Sequence, residues 1–233
     1  MENSENQDLE LEELNAVPAD QLVEQPAAGE ETPELPQKEK DSWQKTVLMY
    51  LHDIIYLLAA MILITLLFFR VVVVSGTSMN RTLLHGDYLL VLSNAFYQQP
   101  EYGDIVVISK ESFDNGEPIV KRVIATEGQL VDIDFEAGIV YVDGVALDEP
   151  YCNTPTNTQE GMTFPVYVGK DCVFVMGDNR NVSRDSRSKE IGLVDEQEII
   201  GRVVFLFLPG TNGEDAHGNP KENRDWSRIG VVK

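Results

Sequence analysis

Ser78 is the residue of this sequence best placed to act as a nucleophile. It stands in Val74-Ser75-Gly76-Thr77-Ser78-Met79, nine residues past Phe69, where a long apolar stretch ends. A serine hydroxyl attacks a carbonyl only when a base takes its proton. The three histidines are His52 beside the apolar stretch, His85 in a polar turn and His217 in a Gly- and Asn-rich segment. None has a supporting carboxylate motif, so a Ser-His-Asp triad is not expected. Lysine is the other available base. At its reference pKa of about 10.4 it is almost wholly protonated at neutral pH, and bringing it near 7 takes roughly 4 kcal/mol, which burial can supply. Lys121, inside Ile119-Val120-Lys121-Arg122-Val123-Ile124, is the lysine most readily drawn into an apolar wall. The ordinary alternatives are a strand lysine facing solvent, since alternation puts Lys121 and Arg122 on opposite faces, and a turn or cap role for Ser78.

A membrane-spanning helix is expected ahead of this pair. Ile54 to Phe69 carries no charge, and extending back to Leu48 gives a segment of about 33 Å, enough for a hydrocarbon core of about 30 Å. The long preceding segment and the lack of a small-residue cleavage site favour a retained anchor over a cleaved signal peptide. Lys38, Lys40 and Lys45 before the span, against Arg70 after it, favour an N-terminus inside the cell. Beyond the span the chain reads as β-rich. Asp104–Ile108, Leu130–Phe135, Ile139–Val142, Cys172–Met176 and Ile199–Leu208 are β-branched or alternating runs. Asp143-Gly144 after Ile139–Val142 is a hairpin signal, and no helix-period run appears between 98 and 190. The expected layout is an acidic disordered cytoplasmic tail at 1–45, a transmembrane anchor at 46–70 and a β-rich catalytic domain at 71–233. The fold class is mainly β, an antiparallel extracytoplasmic domain after one N-terminal helix.

Composition narrows the partners. The net charge of −21 argues against nucleic acid, whose phosphates need clustered Lys and Arg. Residues 1–41 hold thirteen Asp and Glu against two Lys, a composition that cannot offset its own ordering entropy. Cys152 and Cys172 fit no metal spacing, so no metal and no cofactor are expected. Paired outside the cytoplasm they would close a loop worth about 3 kcal/mol; two free thiols fit the sequence equally well.

Five stretches, in order and after a single anchor, resemble bacterial signal peptidase I. They are Gly76-Thr77-Ser78-Met79-Asn80-Arg81-Thr82-Leu83, Gly86-Asp87-Tyr88-Leu89-Leu90-Val91, Gly103-Asp104-Ile105-Val106-Val107, Lys121-Arg122-Val123-Ile124, and Gly177-Asp178-Asn179-Arg180 continuing to Arg187. The resemblance covers roughly 45–210. It implies a membrane-anchored serine endopeptidase that removes signal peptides from exported proteins, with Ser78 as nucleophile and Lys121 as general base. It further implies that Ser183 bonds the lysine, that Asp178, Asp185, Arg122 and Arg187 support the site, and that the Ser78 backbone N–H serves an oxyanion hole. Its implied partners are signal peptides and the lipid bilayer. Gly76 stands where some members have a second hydroxyl donor, Arg81 where proline is usual, Ala125 and Glu127 where Gly and Pro are usual, and Val182 where Asn is common. Two other readings compete: a related Ser/Lys fold for regulated self-cleavage, which would call for a DNA-binding domain, and a non-catalytic membrane-anchored β-domain that binds or scaffolds.

Overall fold

The computed structural model describes residues 43–152, 154–211 and 224–232. The acidic segment and His217 lie outside them. The chain divides into two units, Met1–Leu48 and Met49–Lys233; of the first, only the opening turns of a helix are described. That helix, α1, runs Trp43–Phe68 and buries none of its residues. It contains no Gly or Pro, and Leu, Ile, Met and Ala cover all its faces. A helix that is apolar all round has no polar face to offer water. Its 26 residues measure about 39 Å, and its most apolar stretch has a mean hydropathy of 2.2.

Twelve strands follow: β1 (Phe69–Val73), β2 (Tyr88–Ser93), β3 (Ile105–Ile108), β4 (Ile119–Ala125), β5 (Leu130–Asp134), β6 (Ile139–Val142), β7 (Val145–Ala146), β8 (Val166–Tyr167), β9 (Cys172–Met176), β10 (Val194–Asp195), β11 (Ile199–Leu208) and β12 (Gly230–Val231). Eight form one sheet in the order β1-β2-β11-β3-β4-β9-β10, with β12 on β11; β7-β6-β5-β8 form a second. Every strand pair is antiparallel. The mainly β, antiparallel architecture expected from the sequence is the one found. Each run named above is a strand within a residue of its expected limits, and Asp143 and Gly144, at φ 50 and 79, make the two-residue turn that this pair favours. β1, β2, β4, β8, β10 and β12 were not among the expected runs.

β4 departs from the alternation argument. Lys121 and Arg122 project to opposite faces of the strand, yet they are 3% and 2% exposed. The strand is covered on both sides: six of its seven residues are buried. Val120 packs into an apolar cluster with Met79, Leu83, Leu89, Val107 and Val203, while Ile124 and Ala125 pack with Val131, Val140 and Phe174 of the second sheet and β9. An alternating polar and apolar strand has one solvated face; this one has none.

Candidate active site

The turn carrying Ser78 joins β1 to β2. Its base is closed by Val74 N–H to Asp87 O at 2.9 Å and Gly86 N–H to Val74 O at 2.8 Å. Met79 and Leu83, each 1% exposed, point into the core and pin the turn by their apolar side chains. Gly76 at φ 92 and Arg81 at φ 85 let the chain reverse there; proline, fixed near φ −65°, could not occupy the Arg81 conformation. Across the site, Arg122 of β4 pairs in register with Met176 of β9, so the loop leaving β9 at Gly177 starts beside Lys121 and Arg122. Asn179 of that loop holds the Ser78 peptide. Its N–H donates to Ser78 O at 2.9 Å, and its amide nitrogen donates to Thr77 O at 3.0 Å. Gly177 is obligatory for this approach, because a Cβ there would lie 2.2 Å from Ser183 Oγ and 2.6 Å from Ser78 O.

Lys121 Nζ donates to Ser78 Oγ at 2.9 Å. Burial is the main influence on the amine and brings it from 10.5 down to about 8; the Asp185, Glu160 and Asp178 carboxylates oppose that shift and Arg187 assists it. A proton-accepting lysine and a serine hydroxyl in hydrogen-bond contact are the minimum for base-assisted nucleophilic attack. No hydrogen bond among the described residues uses the Ser78 N–H. Gly76 has no hydroxyl, and its N–H is spent on His85 Nδ1 at 3.1 Å.

The charged residues singled out in the sequence form two buried pairs. Arg122 grips Asp178 through Nε and Nη2, both at 2.8 Å, with the Tyr151 ring 4.0 Å from the guanidinium carbon. Arg187 binds Asp185 at 2.8 and 2.9 Å, and Asp185 also accepts from Gly177 N–H at 3.0 Å. These pairs hold the loop rather than reach the serine. Ser183 is buried as well, but the bond to Lys121 implied for it is not formed. Its N–H closes a turn on Asn179 O at 3.0 Å, and its hydroxyl donates within the loop to Arg184 O at 3.4 Å.

Sequence reasoning passed over several residues that build the site. Thr82 donates its hydroxyl to Asp178. Arg180, 1% exposed, pairs with Glu149 and bonds Thr156. Glu160 faces Arg187 at 3.6 Å and accepts from Asp185 N–H at 3.4 Å. Asn179 and Arg180 were visible inside the Gly177–Arg187 stretch; Glu149 and Glu160 belong to no motif. Among the described residues no group of His, Cys, Asp and Glu could hold a metal ion, and both cysteines are free thiols.

Comparison with known proteins places this arrangement. Residues 47–208 match the family described as signal peptidase, peptidase S26, a span that contains the Ser78 turn, β4 and the Gly177–Arg187 loop. A probable signal peptidase I-1 of Synechocystis is 38% identical over 166 residues, covering 66% of this chain and 81% of its own. A signal peptidase I of Bacillus amyloliquefaciens is 34% identical over 181 residues, covering 74% of this chain and 94% of its own. Signal peptidase IB of Staphylococcus aureus is 34% identical over 152 residues, covering 58% and 76%. The family match over residues 47–208 and the likeness to these relatives fall on one stretch, the one that brings the serine and lysine together: the chain belongs to the signal peptidase family, peptidase S26, and is a peptidase.

Proposed function

We propose that this protein is a membrane-anchored endopeptidase that removes signal peptides from exported proteins by a Ser78/Lys121 mechanism. The observation that carries the reading is the 2.9 Å contact between Lys121 Nζ and Ser78 Oγ, made by a lysine that is 3% exposed. Neutral Lys121 takes the Ser78 proton as Oγ bonds to the scissile carbonyl carbon. The resulting oxyanion faces the Ser78 N–H, a preorganised donor worth about 3 kcal/mol in such a role. Lys121 then gives its proton to the departing amine as the C–N bond breaks, leaving an acyl-enzyme. A water, deprotonated in turn by Lys121, bonds to the acyl carbon, and Lys121 returns the proton to Oγ as the acyl C–O bond breaks, releasing the acid and restoring Ser78 and neutral Lys121.

The same reading assigns the layout. Residues 1–45 form a cytoplasmic tail, 46–70 the anchor and 71–233 the extracytoplasmic catalytic domain, with the orientation supported by Lys38, Lys40 and Lys45 before the apolar run against Arg70 after it. α1 is long enough for a bilayer at about 1.5 Å per residue. Substrate and enzyme held in one membrane meet at raised effective concentration, so an open site can act on segments it binds weakly. The test replaces Ser78 or Lys121 with Ala in the full chain and follows precursor processing in membranes. Both variants should lose processing while remaining folded; undiminished cleavage by either folded variant overturns the mechanism.

A further inference from the structure

Asp87 is completely buried, which no isolated carboxylate tolerates. It is satisfied by four donors: Leu84 N–H at 2.7 Å, Gly210 N–H at 2.6 Å, and Arg228 through Nη1 at 2.9 Å and Nη2 at 2.6 Å. The Arg228 Nη2 also donates to the carbonyl of Thr82 at 3.3 Å. Arg228 therefore touches the turn that carries Ser78 twice, once through Asp87 at its closing end and once at Thr82, whose hydroxyl holds Asp178.

The segment bearing Arg228 is itself fastened. Thr211 and Arg224 form a bridge, and Arg224 Nη1 donates to Pro209 O. Asp225 caps the short turn Trp226–Arg228 by accepting from Ser227 N–H at 3.0 Å. β12 then pairs with β11, Val232 N–H donates to Val204 O at 3.3 Å, and Val232 packs on the cluster that contains Met79 and Leu83. The segment 224–232 itself lies past residue 208, where the family match ends, while the groups it fastens to in β11 and the core lie within that match.

We propose that residues 224–232 are a strap and that Arg228 is a positioning residue for the nucleophile turn, fixing the direction of Ser78 Oγ through Asp87 and the Thr82 carbonyl. The proposal rests on Ser78 being the nucleophile. The Ser78 turn is closed at its base by backbone bonds and anchored in the core by Met79 and Leu83, and further ties reach it from outside at both ends. Asn179 holds its entry at Thr77 and Ser78; Arg228 holds its exit. Misplacing a reacting atom by about 1 Å can cost on the order of a hundredfold in rate.

The test measures single-turnover cleavage of a signal-peptide-bearing precursor by the full chain in detergent micelles, with enzyme in excess and saturating, for Arg228→Met and Arg228→Lys. Under these conditions the rate constant does not depend on how much of the protein is folded, as long as folded enzyme still exceeds and saturates the substrate; the folded fraction is measured separately by circular dichroism. The rate constant of Arg228→Met should fall about tenfold or more, Arg228→Lys should recover part of it, and the acidic limb of the pH profile should stay in place because Lys121 is untouched. Should Arg228→Met fail to fold, Arg228→Lys carries the test, since it keeps the charge and loses the fork that reaches Thr82. An unchanged rate constant with a smaller folded fraction would mean a purely structural pair and overturn the strap. Ser78→Ala run alongside separates the two readings: cleavage by that variant sinks the nucleophile assignment, while its loss together with a wild-type rate for both Arg228 variants sinks the strap alone.

Discussion

Titrating the cleavage rate offers the sharpest trial of Lys121 as base. Burial lowers its amine from 10.5 to about 8. That lowering corresponds to roughly 3 kcal/mol and to a neutral fraction at pH 7 larger by about two orders of magnitude or more. About one molecule in ten would hold neutral Lys121 at pH 7, against about one in 3,000 for an unperturbed lysine. The measurement is kcat/KM for a precursor lacking titratable groups near the scissile bond, followed from pH 5.5 to 10.5; this ratio reports the free enzyme. It should rise about tenfold per pH unit below 8 and level off above. A limb centred above pH 9.5, or a rate flat between pH 6 and 8, would refute the assignment of Lys121 as the proton acceptor.

The same shift has a consequence for folding. Because the folded-state value lies below the unfolded one, the unfolded chain binds more protons between pH 8 and 10.5, and stability rises with pH across that window. Below pH 8 the penalty of holding a charged amine in the site is present in full, about 3 kcal/mol at most. Lys121→Met removes it, so the variant should resist urea at least as well as the parent at pH 7, and the difference should move in the parent's favour by pH 10.5. A difference independent of pH would mean that the amine is not charged at a cost in the folded state.

Two further outcomes follow from neighbours of the pair. Glu160 is one of the carboxylates that raise the proton affinity of Lys121, so Glu160→Gln should move the acidic limb of kcat/KM to lower pH and increase cleavage at pH 7 relative to pH 9; a limb moved upward would contradict the electrostatics. Gly76 sits at φ 92, and a Cβ added there would have nothing within 4 Å, so Gly76→Ser meets no clash and costs only left-handed backbone strain, about 1–2 kcal/mol. Urea unfolding should show that loss, and an unchanged midpoint would mean that the turn relaxes out of the left-handed region.

What the sequence displayed, it displayed locally. Cys172–Met176 and Ile199–Leu208 are legible as strands because β-branched and alternating residues run unbroken there, and Asp143-Gly144 is legible because few residue pairs accept two consecutive positive φ angles. Ser78 and Lys121, 43 residues apart and in contact, were singled out by eliminating histidine as base and by the ordered motifs. The burial of Lys121 was legible in its apolar neighbours, whereas that of Arg122 beside it was invisible for a different reason. Arginine and lysine are rarely buried unless paired, and the partners of Arg122, Arg180 and Arg187 arrive through register and loop closure rather than through spacing. Arg122 meets Asp178 only because β4 and β9 pair at Met176.

The ties that set the direction of Ser78 are hidden more deeply still, because most of them end on backbone carbonyls. Asn179 holds Thr77 O and Ser78 O, Arg228 reaches Thr82 O, and Arg187 braces the opposing loop through Thr158 O and Ser183 O. Every residue has a carbonyl, so nothing in the identity of Thr77 or Thr82 announces that it is gripped. The donors are conspicuous only after folding, when a guanidinium is found buried against main chain. Such ties do not depend on the side chain of the residue they grip: a carbonyl survives any substitution that keeps φ and ψ. The turn's tolerance is therefore confined to side chains that neither enter the core, as Met79 and Leu83 do, nor bond, as Thr82 does, and mutation of the distant donors Asn179 and Arg228 should be felt as strongly as mutation of those three.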